Sequence, residues 1–148
     1  MAMVTFKAVS RKLPTGLAVE NESRGFKFIM DEPKELGGTD LGMNPVEALL
    51  TALGSCLVIV VTAFAPVYKI NVEDLWVETE GDLDLDGFLK GKEGVRPGYQ
   101  NVRFTIHFKS DASAEKLAEF KKFVESRCPV SDTLGKGTVV LANDFVIG

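Results

Sequence analysis

The sequence predicts an α+β fold, antiparallel sheet packed against helices. Three observations carry that prediction. Residues 44–68 form one long apolar stretch that opens with a helix-start signal. Short segments of alternating apolar and polar residues, the period of a half-buried strand, lie on both sides of it. A second stretch, at 113–127, has the helical period instead. The resulting order is βββ-α-ββ-α-β. At 148 residues the chain has the size of one ordinary domain. We divide it into a meander and loop at 1–43, a central helix at 44–68, and a hairpin, second helix and closing strand at 69–148.

The elements follow in order. Residues 4–10 (V-T-F-K-A-V-S) alternate as a strand, Leu13-Pro14-Thr15-Gly16 turns, and 17–21 is a short second strand. Ser23-Arg24-Gly25 turns again into a third strand at 26–30. Residues 31–43 (D-E-P-K-E-L-G-G-T-D-L-G-M) are a glycine-rich loop leading to the helix. There Asn44 is a favoured N-cap, Pro45 suits the first helical position, and Glu47 places an anion at the helix N-terminus. Pro66 marks the far end of a helix of roughly 20 residues. This helix is apolar on every side, so it is expected to be buried all round.

Residues 70–80 read as a strand with a kink near Asp74, and 99–110 as another, with Val102, Phe104, Ile106 and Phe108 in strict alternation. A long loop, 81–98, joins them. The second helix carries Leu117, Phe120 and Val124 on one stripe, with Cys128 four residues further along it. Pro129 stops that helix, 130–135 form one more turn, and 138–147 is the closing strand.

Charge and composition narrow the function. A net charge of -4 lacks the clustered Lys and Arg of a nucleic-acid surface. No signal peptide is expected at the start. Two cysteines 72 apart do not make a secreted disulfide framework and suit a reducing cytoplasm, where they could be redox-active. Residues 48–68 are long enough for a membrane span, but Gly54, Ser55, two threonines and Pro66, with no basic flank, favour a core helix that an oligomer partner helps to cover.

The loop from Asp82 to Glu93 (D-L-D-L-D-G-F-L-K-G-K-E) matches the calcium-loop pattern D-x-D-x-D-G-x5-E. An EF-hand needs a helix on each side, and here a strand precedes and Gly94-Val95-Arg96-Pro97-Gly98 follows, so a solvated hairpin tip is expected. The single histidine, His107, is out of phase with the apolar alternation and is expected to face solvent or a loop. With two Cys and one His, no spacing supports a zinc site, and no metal or other cofactor is expected. The cysteines themselves admit two readings: small core hydrophobes, or two inward thiols that meet as the helices pack.

Two stretches together resemble the OsmC/Ohr family of osmotically induced and organic hydroperoxide resistance proteins. One is Gly37-Gly38, Asp40 and Gly42, then Asn44-Pro45, Glu47 to Leu50 and Ala52-Leu53-Gly54-Ser55-Cys56. The other is Arg127-Cys128-Pro129-Val130-Ser131-Asp132-Thr133-Leu134. Asp31-Glu32-Pro33, the loop at 81–89 and Arg96-Pro97-Gly98-Tyr99-Gln100 also look typical of one branch. The resemblance implies an intertwined homodimer with antiparallel sheets around a long central helix buried by both chains. It implies a thiol peroxidase for organic hydroperoxides, without metal or flavin. Cys56 would then be oxidised to a sulfenic acid, Cys128 would resolve it, and an unidentified thiol would reduce the pair. Cys128 at a helix C-terminus, where thiolates are disfavoured, suits the resolving role.

A mid-helix Cys56 needs a nearby cation to form a thiolate. In the Ohr branch an arginine held by a glutamate supplies it, and that glutamate directly follows the Asn-Pro pair. This chain has Val46 there. Glu47 comes one residue later, on roughly the opposite helix face from Cys56 and about 13 Å along the axis. The arginine candidates are Arg24 first, then Arg96, with Arg11 behind them. The departure at Val46 keeps a second function open: a non-catalytic, dimeric small-molecule-binding protein with structural cysteines and a small apolar ligand.

Overall fold

The computed structural model describes residues 3–138 and 140. They fall in two compact units, Met1–Leu49 and Leu50–Gly148. Within both, antiparallel sheet accompanies helices, so the fold is α+β.

The first unit is an antiparallel meander of β1 (Val9–Lys12), β2 (Val19–Ser23) and β3 (Phe26–Met30). Strand β1 starts later than the alternation at 4–10 suggests. Its register is set by the turn that pairs Lys12 with Val19, closed by Leu13 N–H donating to the Ala18 carbonyl at 2.8 Å. The β2–β3 hairpin turns through Arg24 and Gly25 alone, with φ of 52° and 87°. Positive φ at both central residues is what a two-residue hairpin matched to strand twist requires, and Gly25 meets it without steric cost.

The loop to the helix is tied by one buried carboxylate. Asp31, 2% exposed, accepts from the N–H groups of Glu32, Thr39 and Leu41 and from the Thr39 hydroxyl at 2.6 Å. The backbone is drawn in so closely that a Cβ at Gly38 would lie 1.8 Å from the Glu32 carbonyl oxygen. A single 3-10 turn, Lys34–Leu36, fits inside this loop.

Helix α1 (Pro45–Phe64) begins where the sequence places it. The Asn44 side chain accepts from Glu47 N–H at 2.9 Å while the Glu47 carboxylate accepts from Asn44 N–H at 2.8 Å, a reciprocal capping box. Its end comes earlier than residue 68: the chain turns after Phe64 because Pro66 disfavours helical backbone at Ala65. Nor is it buried all round within one chain. Leu53, Gly54, Leu57, Val60 and Val61 are buried, whereas Ile59 is 65% exposed.

From Leu50 onward the second unit continues α1 and adds β4 (Asp74–Leu83), α2 (Leu85–Leu89), β5 (Tyr99–Lys109), α3 (Ala114–Arg127) and α4 (Pro129–Lys136). Strands β4 and β5 pair antiparallel from Asp74↔Lys109 to Leu83↔Tyr99. One face of the pair carries Leu75, Val77, Phe104, Ile106 and Phe108 onto a core of Leu53, Leu57, Val61, Phe120 and Val124. The expected loop at 81–98 is shorter, because β4 runs to Leu83 and α2 forms after Asp84 caps Asp86 N–H. Apart from residues 138 and 140, the closing strand expected at 138–147 lies outside the described residues.

Candidate active site

Pro129 builds the junction that carries the second cysteine. A residue before proline is pushed out of the helical region, so α3 ends at Arg127 and Cys128 is extended, with φ -77° and ψ 109°. Pro129 then fits the first position of α4. Cys128 is therefore the C-cap of one helix and the N-cap of the next, and its sulfur accepts from Ser131 N–H at 3.4 Å.

Cys56 comes from the middle of α1. The Cys128 thiol donates to the Cys56 sulfur at 2.9 Å, and both cysteines are free thiols. Cys128 is 1% exposed and belongs to the core cluster, while Cys56 is partly exposed at its margin. The two residues from opposite ends of the sequence motif pair are thus within reach of a shared bond.

Burial pushes the Cys128 thiol up from its ordinary value, and its hydrogen bond to Cys56 adds to that; the Ser131 and Val130 N–H groups pull the other way. The direction matches the expectation from a helix C-terminus, but the cause differs. The start of α4 offers the sulfur hydrogen-bond donors, and the low polarity of the core outweighs them.

The other candidates make contacts of their own. Glu47 is engaged in the capping box with Asn44. Arg24 sits in the β2–β3 turn with its guanidinium 5.5 Å from the centre of the Phe26 ring, and forms no ion pair among the described residues. Arg96 precedes β5, and its carbonyl accepts from the Gln100 amide at 3.0 Å. Beside Cys128, Arg127 packs over Phe123 at 5.4 Å.

The acidic loop is held by cations of its own chain. Asp82 pairs with Arg103 at 2.7 Å, Asp84 caps α2, and Asp86 pairs with Lys90 and Lys92. His107 lies on the sheet face away from the core, 2.5 Å from Glu78 and stacked on Trp76. Two features escaped the sequence reading. Asp31 stood out only as part of Asp-Glu-Pro, and the N–H of Ser131 has no side-chain signature at all.

Three comparisons bear on this arrangement. A family model described as OsmC-like protein matches residues 38–142. A hydroperoxide reductase of Mycoplasma genitalium is 31% identical over 113 residues, 76% of this chain and 74% of that protein. The uncharacterized protein YmaD of Bacillus subtilis is 32% identical over 113 residues, 74% of this chain and 71% of that protein. Among solved structures, an OsmC like protein from Mycoplasma pneumoniae superposes with a TM-score of 0.78 at 22% identity, covering 89% of this chain and 88% of that one. With its helix-borne Cys56, its Arg-Cys-Pro junction and a family match across most of its length, the chain belongs to the OsmC-like protein family.

Proposed function

We propose that the chain is a thiol-dependent peroxidase for organic hydroperoxides, and that the 2.9 Å approach of Cys128 to Cys56 carries this reading. The Cys56 thiolate attacks the terminal oxygen of ROOH. The O–O bond breaks, the alkoxide takes a proton and leaves as alcohol, and Cys56 becomes a sulfenic acid. The Cys128 thiolate then attacks the Cys56 sulfur, forming the disulfide while hydroxide leaves and is protonated to water. A thiol reductant restores both cysteines, as a reducing cytoplasm would allow. The name of the Mycoplasma genitalium relative supports this chemistry. For the cation favouring the Cys56 thiolate the family resemblance alone suggests Arg24, ahead of Arg96. Glu47 stays a candidate because other branches of the family carry a glutamate there, but it does not replace the carboxylate missing at Val46, and its bonds are those of a helix cap.

The test adds tert-butyl hydroperoxide to the reduced protein and reads intact mass. Loss of two hydrogens that requires both cysteines is expected; an unreactive Cys56 refutes the proposal.

We further propose that the working form is a homodimer whose second copy covers the open face of α1, where Ile59 is exposed. A second reading, a dimeric binding protein, draws on an apolar cavity of about 170 Å³ lined by Val61, Ile106, Phe108, Leu117, Phe120, Lys121 and Val124. A Cys56→Ser variant that keeps a co-purifying apolar ligand, from a parent that consumes no hydroperoxide, would favour it.

A further inference from the structure

The two sulfurs of the pair are unequal in a way that decides how their disulfide is reopened. Cys128 is 1% exposed within the core cluster, whereas Cys56 is partly open. Thiol–disulfide exchange begins with a thiolate reaching one sulfur and expelling the other. Only Cys56 offers an approach, so Cys128 is the sulfur that must leave. A thiolate released into the core is costly unless something hydrogen-bonds to it. The Ser131 N–H already points at that sulfur from 3.4 Å, in the first turn of α4.

We propose that an external thiolate attacks Cys56 Sγ and expels Cys128 as the thiolate, with the backbone N–H of Ser131 as the group that receives the departing charge. This rests on the two cysteines forming a disulfide. The attacking sulfur bonds to Cys56, the Cys56–Cys128 bond breaks, and its electron pair leaves on Cys128. With a dithiol reductant, the second thiolate attacks the reductant's own sulfur in the mixed disulfide and releases Cys56. The reductant leaves as a cyclic disulfide, and its two protons end on the two cysteines. Ser131 is a positioning residue acting through its main chain.

The experiment oxidises the full chain with diamide, which needs no peroxidase turnover, then adds glutathione, quenches in acid and maps the adduct after peptic digestion. Glutathione on Cys56 with Cys128 free, in at least about tenfold excess over the alternative, is expected from the exchange mechanism. Adduct on Cys128, equal labelling of both, or failure of diamide to cross-link them overturns the proposal. A chain that diamide cross-links, that carries glutathione on Cys56 and yet ignores hydroperoxide, upholds this proposal and sinks the peroxidase reading. A second arm titrates the Cys128 thiolate by ultraviolet absorbance in the Cys56→Ser background. Ser131→Pro removes the N–H and is expected to raise the midpoint by about one pH unit. An unchanged midpoint in a variant with native circular dichroism overturns the role of Ser131; if that variant does not fold, the adduct map decides.

Discussion

Cys128 has to be a thiolate to resolve an oxidised partner, yet the core around it favours the thiol. Its pKa is raised, so the protonated form dominates at neutral pH and the reactive fraction grows as pH rises. Disulfide formation from oxidised Cys56 is therefore expected to accelerate about tenfold per pH unit from pH 6 to beyond the ordinary thiol value of about 8.5. Acid-quenched samples weighed by mass spectrometry measure this; a rate that levels off below about pH 8 would contradict it. Asp31 works in the opposite sense. Its hydrogen bond from the Thr39 hydroxyl, reinforced by three N–H donors, lowers its pKa against the cost of burial. A depressed carboxylate contributes stability above the unfolded value of about 3.9 and loses it as pH falls through the folded value. Asp31→Asn should lower the urea midpoint at pH 7, with the gap to the parent closing as pH drops below about 4. A gap that stays constant would remove Asp31 from its organising role.

At the scale of elements, α1 shows what local chemistry announces and what it conceals. Its start was legible because Asn44, Pro45 and Glu47 each satisfy a need of the first turn, and the capping box forms between them. Its one-sided burial was not, because a uniformly apolar helix carries no mark of which face meets its own chain. Leu57, fully buried, lies on the inner face. Leu57→Ala should cost about 2–5 kcal/mol in urea unfolding, and a loss under about 1 kcal/mol would mean the core can close over the gap. Strand β1 was misplaced for a related reason: all four of its residues are exposed, so register came from the turn pairing Lys12 with Val19 and not from an apolar face. For the candidate site, the cysteine motifs were readable, but the cause of the shift at Cys128 was not. A sequence gives a helix end more readily than the depth at which its cap is buried.

The whole molecule leaves Ile59 and Trp76 exposed along one cleft of the second unit, together with Val58, Leu75 and Val77 on its walls. Apolar surface left open in this way marks a place for a partner, and a second copy is the proposed one. Sedimentation without detergent should give about twice the 16.1 kDa of one chain, and Ile59→Glu should shift it to the monomer while circular dichroism stays native. A detergent requirement would return α1 to the membrane reading, since its length and hydropathy alone would permit a span.

The meeting of Cys56 with Cys128 also ties oxidation to heat resistance. A bond between them would close a loop of 72 residues and remove roughly 4 kcal/mol of unfolded-chain entropy, on the loop-closure model. The oxidised protein should therefore melt several degrees above the reduced one, a difference that differential scanning calorimetry reads directly and that Cys128→Ser abolishes. The same cycle runs backwards: whatever stability the bond adds to the fold, the fold returns as resistance of the bond to reduction. In the proposed cycle, a reductant would have to overcome the folding energy of the protein as well as the chemistry of its sulfurs.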